Sequence, residues 1–245
     1  MISTYHRPQT LDEALTLLTQ PNTVPLGGGT LLSQSTTDSV AVVDLQALRL
    51  DSLRVSGNEL QIGATCTLQA LLESEHCPAP LKIALKLEAP LNIRNAATVA
   101  GTLVASDGRS TFVTMLLAMD AKLELNINGQ ANTMSCGEYL LTRPSGLITA
   151  IAIPINARVA FEYVSKTPAD KPIIGAAVAQ WNSGRTRLAL SGYGKTPLLA
   201  MDGTESDGIK EAAMNAYHEA SDEWASAEYR MDVAATLAKR ALESL

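Results

Sequence analysis

The spacing of apolar positions predicts alternating strands and helices in the first part of the chain and antiparallel strands in the second. Thr10-Leu11-Asp12-Glu13, followed by Ala14, Leu15 and Leu18, reads as an amphipathic helix with a capping box, stopped at Pro21-Asn22. Thr23–Leu26 and Ala41–Leu45 read as short strands. Leu53–Val55 and Glu59–Ile62 flank Ser56-Gly57-Asn58, a hairpin signal, and Thr67–Ser74 and Pro80–Leu87 look helical. From Pro90 to Gly108 no clean period survives, and small residues predict a cofactor-lining or packed irregular segment rather than a flexible linker. Phe112, Met115, Leu116 and Met119 then fall at i, i+3, i+4 and i+7, the core stripe of a helix. Strands follow at Lys122–Ile127, turning at Asn128-Gly129, and at Leu147–Ile153.

Beyond Pro154 the texture becomes antiparallel. Val159–Ser165, Gly175–Trp181 and Thr186–Ser191 read as strands, the last two joined by a turn at Asn182-Ser183-Gly184. Two helices close the chain, near Asp207–Glu219 and Glu228–Leu245, with Tyr229, Val233, Leu237 and Ala241 on one face of the second. A domain boundary is expected near 154–157.

Composition narrows the function. The chain has 245 residues, 46% of them hydrophobic and 18% charged, enough for a proper core. A net charge of −6 and 4% aromatics argue against nucleic acid and anionic membranes as partners. No apolar run approaches the ~20 residues of a membrane span, and the N-terminus has no signal-peptide layout, so a cytoplasmic location is expected. Cys66, Cys77 and Cys136 are too few and too scattered for a cluster or zinc framework, and no metal site is expected.

Val24-Pro25-Leu26-Gly27-Gly28-Gly29-Thr30-Leu31-Leu32 is the richest motif. Three residues without Cβ permit positive φ and close approach to another molecule, and successive amides at such a turn make an anion site. The spacing is not the G-x-G-x-x-G of a doubly wound dinucleotide fold, and Asp44 is too near to serve as its ribose-binding acid. Gly192-Tyr193-Gly194-Lys195-Thr196 ends like a triphosphate loop, but Ala189 stands where that loop needs its first glycine, which points instead to a strand-to-helix connection. His6, His76 and His218 are isolated, and nothing nominates a catalytic base. Any redox chemistry is therefore expected to be carried by a cofactor.

Two segments taken together carry a family resemblance. VPLGGGTLL (24–32) and IRNAATVAGTLVASDGRSTFVTMLLAMDAKLEL (93–125) resemble the two flavin-binding segments of the FAD-binding medium subunits of molybdenum hydroxylases. These are the carbon monoxide dehydrogenase medium subunit and the xanthine dehydrogenase flavin domain. YHRPQTLDEALTLL (5–18), VVDLQAL (42–48), LQIGATCTLQALLES (60–74), FEYVSKTPADKPIIGAAVA (161–179) and SAEYRMDVAATLAKRAL (226–242) resemble further landmarks in the same order.

The resemblance implies a mixed α/β (α+β) chain. A two-lobed, PCMH-type (vanillyl-alcohol-oxidase-like) FAD-binding domain would span 1–154, with lobe 1 about 1–50 and lobe 2 about 51–154. A small α+β domain like the CO dehydrogenase flavoprotein C-terminal domain would span 155–245. FAD would lie between the lobes. Leu26, Gly27, Gly28, Gly29, Thr30, Leu31 and Leu32 would wrap its diphosphate, with Thr98, Ala100, Gly101 and Thr102 approaching from the other lobe. Ile148 would touch the isoalloxazine, and Ser165 and Lys166 would reach it from the C-terminal domain. The implied role is an electron-transfer subunit, not active on substrate alone, that takes electrons from partner iron–sulfur clusters and passes them to an external acceptor. The implied partners are a molybdenum-cofactor large subunit and a [2Fe-2S] small subunit in a hetero-oligomer.

Three positions depart from the family pattern. Where the second segment usually reads T-I-G-G-N, Ala100 replaces a glycine and Thr102 an amide, and Thr111 replaces an aspartate that accepts from a cofactor hydroxyl or amide. These changes set a rival expectation, a scaffold subunit that keeps the fold with FAD weakened or lost.

Overall fold

The N-terminal residues build a three-stranded parallel sheet. The computed structural model describes residues 2–32, 39–168 and 170–245. Strands β1 (Ile2–His6), β2 (Thr23–Leu26) and β3 (Val40–Asp44) pair in the order β1-β3-β2. Helix α1 (Leu11–Leu18) makes the crossover. Its Thr10 cap accepts from the Glu13 amide at 3.3 Å, and Glu13 reaches back to the Gln9 amide at 2.9 Å. Ala14 packs on Val43 and Leu45, and Leu147 from the second lobe joins this small core.

The second lobe is a five-stranded antiparallel sheet, β4-β5-β8-β6-β7. It comprises β4 (Leu53–Ser56), β5 (Glu59–Gly63), β6 (Lys122–Ile127), β7 (Gln130–Ser135) and β8 (Leu147–Pro154). Between β5 and β6 come α2 (Leu68–Glu73), α3 (Ala79–Glu88), α4 (Leu91–Arg94), α5 (Val99–Ala105) and α6 (Thr111–Ala118); α7 (Cys136–Thr142) follows β7. The segment expected to be irregular thus holds two short helices, too brief to print a period. Thr98 starts α5 by accepting the Gly101 amide at 3.2 Å.

The C-terminal sheet runs β12-β11-β10-β9, all antiparallel, from β9 (Arg158–Val164), β10 (Ile174–Gln180), β11 (Thr186–Ser191) and β12 (Leu198–Gly203). One face carries α8 (Ile209–Ala216) and α9 (Ala227–Glu243), while Phe161, Ala177 and Ala189 on the other join the second lobe's core. Helix α6 is therefore covered on every side, and all eight of its residues are buried. Its predicted stripe is core, as the spacing required.

Charge and backbone bonds join this sheet to the second lobe. Arg187 on β11 donates to the Leu117 carbonyl at 3.0 Å and pairs with Asp120 at 3.2 Å and Asp202 at 2.5 Å. Gly108 donates to the Gly194 carbonyl at 3.1 Å and accepts from the Gly192 amide at 2.8 Å. The Gly192–Thr196 run connects two antiparallel strands, not a strand and a helix as expected, and its conformation serves this contact. A Cβ on Gly108 would collide with the carbonyls of Tyr193 and Gly194.

Candidate cofactor cleft

The glycine run follows β2 and turns toward the second lobe. Gly29 alone of the three has positive φ, +69°. A Cβ on Gly27 would stand 2.7 Å from Thr98 Oγ1, and one on Gly28 would fall inside the Ala96 carbonyl. Gly27 and Gly28 thus let the lobes approach closely, and Gly29 makes the turn. Among the described residues, the N–H groups of Gly27, Gly28 and Gly29 meet no backbone acceptor.

The facing wall is α5 and the residues that seat it. The Val99 amide donates to the Cys66 carbonyl at 2.9 Å and the Ala100 amide to the Ala64 carbonyl at 3.2 Å. Ala100 lies in helical backbone without positive φ, so its Cβ carries no backbone strain. Arg143 closes the other end of the helix by donating to the carbonyls of Val104 at 2.9 Å and Leu103 at 3.3 Å.

Between the walls lies a cleft of about 510 Å³. Gly27, Gly28, Gly29, Thr30, Leu31, Leu32, Thr98, Ala100, Gly101, Thr102 and Ile148 all line it. Leu26, Thr111 and Lys166 are not among its lining residues. Leu26 is the last residue of β2, and its carbonyl accepts from the Leu45 amide at 3.1 Å. Thr111 is buried, its hydroxyl donating to the Ala84 carbonyl at 2.7 Å. The Lys166 ammonium lies 4.8 Å from the centre of the Trp224 ring, which Arg109 also approaches at 4.4 Å. Ser165 is partly buried, with an unpartnered hydroxyl among the described residues.

Glu88 and Lys171 also line the cleft, and the sequence analysis named neither. Glu88 falls one residue past the helix predicted over Pro80–Leu87 and Lys171 sits in a loop, where charged side chains ordinarily face water. Apolar surface comes from Leu45, Leu68, Ile93, Leu147 and Ile148. The other candidates for chemistry are occupied. Asp44 accepts from the Tyr5 hydroxyl and from the Gln46 amide at 2.9 Å. Burial pushes the thiols up, Cys66 to about 11 and Cys77 and Cys136 to about 12, leaving them protonated and inert at neutral pH. Among the described residues, no group of three or more His, Cys, Asp or Glu side chains could hold a metal ion.

Residues 1–156 match the family described as the FAD binding domain in molybdopterin dehydrogenase. The chain belongs to that family. Uncharacterized protein YgfM of Escherichia coli (strain K12) is 30% identical over 246 residues, covering 97% of this chain and 94% of that protein. The carbon monoxide dehydrogenase medium chain of Afipia carboxidovorans is 28% identical over 273 residues, 98% of this chain and 95% of that one. The solved structure of reconstituted CO dehydrogenase from Oligotropha carboxidovorans is similar with a TM-score of 0.81 at 28% identity, covering 98% of this chain and 96% of that chain.

The cleft fits the cofactor of this FAD-binding family. Successive amides on a glycine turn suit a diphosphate, and aliphatic walls at Ile93, Leu147 and Ile148 suit a flat aromatic ring. The Thr98 and Thr102 hydroxyls and the Glu88 carboxylate add polar groups to the wall. A volume near 510 Å³ is that of a ligand site rather than a packing defect.

Proposed function

We propose that this chain is the flavin subunit of a molybdenum hydroxylase-type complex, carrying electrons from partner iron–sulfur clusters to an external acceptor. The observation that carries the reading is the cleft between the lobes, lined by eleven of the fifteen residues that the family resemblance nominates. Bound FAD would supply the ring that accepts and releases electrons.

The protein's own contribution is binding and orientation. The Gly27–Gly29 amides would neutralise the diphosphate, Thr98 and Thr102 would offer hydroxyls, and Ile148 with Ile93 would hold the ring and exclude water. The proposed partners are a molybdenum-cofactor large subunit and a [2Fe-2S] small subunit. A relative named as a medium chain, matching nearly end to end, supports a multi-chain assembly. Among the described residues, no helix is long and apolar enough to cross a membrane.

The test is isolation of the tagged chain from its native cell at physiological salt. Molybdenum, iron and FAD are expected to elute together with the chain in one peak of constant ratio. A flavin-loaded chain that elutes with neither metal would overturn the partner assignment.

A further inference from the structure

The cleft wall contains a buried carboxylate with unusual support. Glu88, the last residue of α3, is 8% exposed, and a carboxylate is hidden from water at such cost only when well partnered. One oxygen, Oε2, is committed to the start of α6. It accepts from the Ser110 hydroxyl at 2.8 Å and the Phe112 amide at 3.0 Å, with the Thr111 oxygen, whose proton goes to the Ala84 carbonyl, 3.3 Å away. A negative charge there is also favoured by the helix dipole.

The other oxygen, Oε1, accepts from the Lys171 ammonium at 3.2 Å. Lys171 belongs to the loop between β9 and β10, so the pair spans the second lobe and the C-terminal sheet. Its carbonyl is held by the Arg109 guanidinium at 3.1 Å, which fixes the lysine backbone. Oε1 has two lone-pair directions, and Lys171 is its one described partner. Asp107, the other acidic residue of the wall, is exposed, and its Oδ1 accepts from the Arg109 amide at 2.9 Å. Among the described lining residues, Glu88 is the one buried acceptor-only group.

We propose that Glu88, held in place by Lys171, is the carboxylate that accepts a hydrogen bond from bound FAD. This rests on the flavin reading above. FAD presents hydroxyl and ring N–H donors, and a carboxylate fixed at both oxygens accepts from a donor without reorganising. The site therefore already holds a carboxylate beside position 111, where the sequence suggested that one had been lost.

The test moves the carboxylate between two touching positions. FAD affinity is measured by fluorescence titration of the full chain for wild type, E88Q, T111D and the E88Q/T111D double variant, with melting temperature read alongside. E88Q is expected to bind FAD about thirtyfold more weakly. T111D alone is expected to give no tightening, because it sets a second negative charge against Glu88. The double variant is expected to recover most of the lost affinity. Wild-type affinity in E88Q, or a double variant no better than E88Q, would overturn the proposal. Should E88Q melt too low to assay, T111D decides: tightening by tenfold or more would mean that the site lacks a carboxylate. If the wild-type chain binds no FAD, the flavin reading falls and this one with it; if it binds and E88Q binds equally, only the Glu88 assignment falls.

Discussion

Gly28→Ala is expected to weaken FAD binding by at least about a hundredfold, a larger loss than removal of any single cleft hydrogen bond. The added Cβ would occupy the space of the Ala96 carbonyl, and both partners are backbone, so neither can rotate away. The lobes would have to separate, at a cost of about 1–3 kcal/mol or more for overpacking. That movement would shift the Gly27–Gly29 amides away from Thr98 and α5, and with them the two-sided geometry of the cleft. Gly57→Ala provides the contrast. Gly57 has positive φ, +59°, but nothing lies within 4 Å of its added Cβ. It should lose a little thermal stability and no FAD affinity. Titration of both variants with FAD decides the matter, and equal affinities would contradict the close-approach role of Gly28.

Arg230→Leu is expected to lower the melting temperature by roughly 10 °C and to loosen the loop that carries Lys171. Arg230 on α9 is completely buried, and its guanidinium donates to the Ile173 carbonyl at 2.7 Å, the Gly192 carbonyl at 2.9 Å and Asp222 at 2.7 Å. Removing it strands two buried carbonyls and takes one of three donors from the Asp222 carboxylate. Leaving a buried carbonyl unsatisfied costs about 1–3 kcal/mol, and each kcal/mol is worth about 2–4 °C in a chain of this size. Burial by itself would raise the Asp222 carboxyl, but hydrogen bonds from Arg230 and from the Trp224 and Ala225 amides outweigh it and hold it below the usual range. A depressed carboxyl stabilises the fold above its unfolded value and loses that contribution as pH falls through the folded one, so wild type should lose this term below about pH 4. The variant should lose the share that Arg230 contributes and keep that of the two amides. Calorimetry across pH 3–7 checks both points, and a melting temperature within 2 °C of wild type at pH 7 would contradict them.

What the sequence made legible follows from the length and chemistry of each element. Strands with turn signals could be read, as in β4–β5 around Gly57 and β6–β7 around Asn128-Gly129, because the turn chemistry is local. Helices α4 and α5 could not, since four and seven residues hold too few apolar positions to show a period. The face of α9 was read correctly at Leu237 and Ala241 and missed at its first turn. Tyr229 is exposed, and the buried face runs through Arg230, Ala234, Leu237, Ala238 and Ala241. A periodicity rule counts arginine as polar, so it cannot find an arginine that is buried because three acceptors converge on it.

The cleft divides in the same way. Its glycine wall was visible because glycine runs are rare and carry backbone consequences. Glu88 and Lys171 were invisible because their partners come from segments 22 and 83 residues away along the chain. The suspected weakness at Ala100 rested on a backbone conformation that α5 does not adopt there.

The measurement closest to the central claim is equilibrium titration of the purified, flavin-stripped full-length chain with FAD, followed by its visible absorption and by quenching of flavin fluorescence. One FAD per chain is expected, with resolved and shifted flavin bands and with binding lost in Gly28→Ala. No saturable binding by a wild-type chain that melts cooperatively would contradict the account.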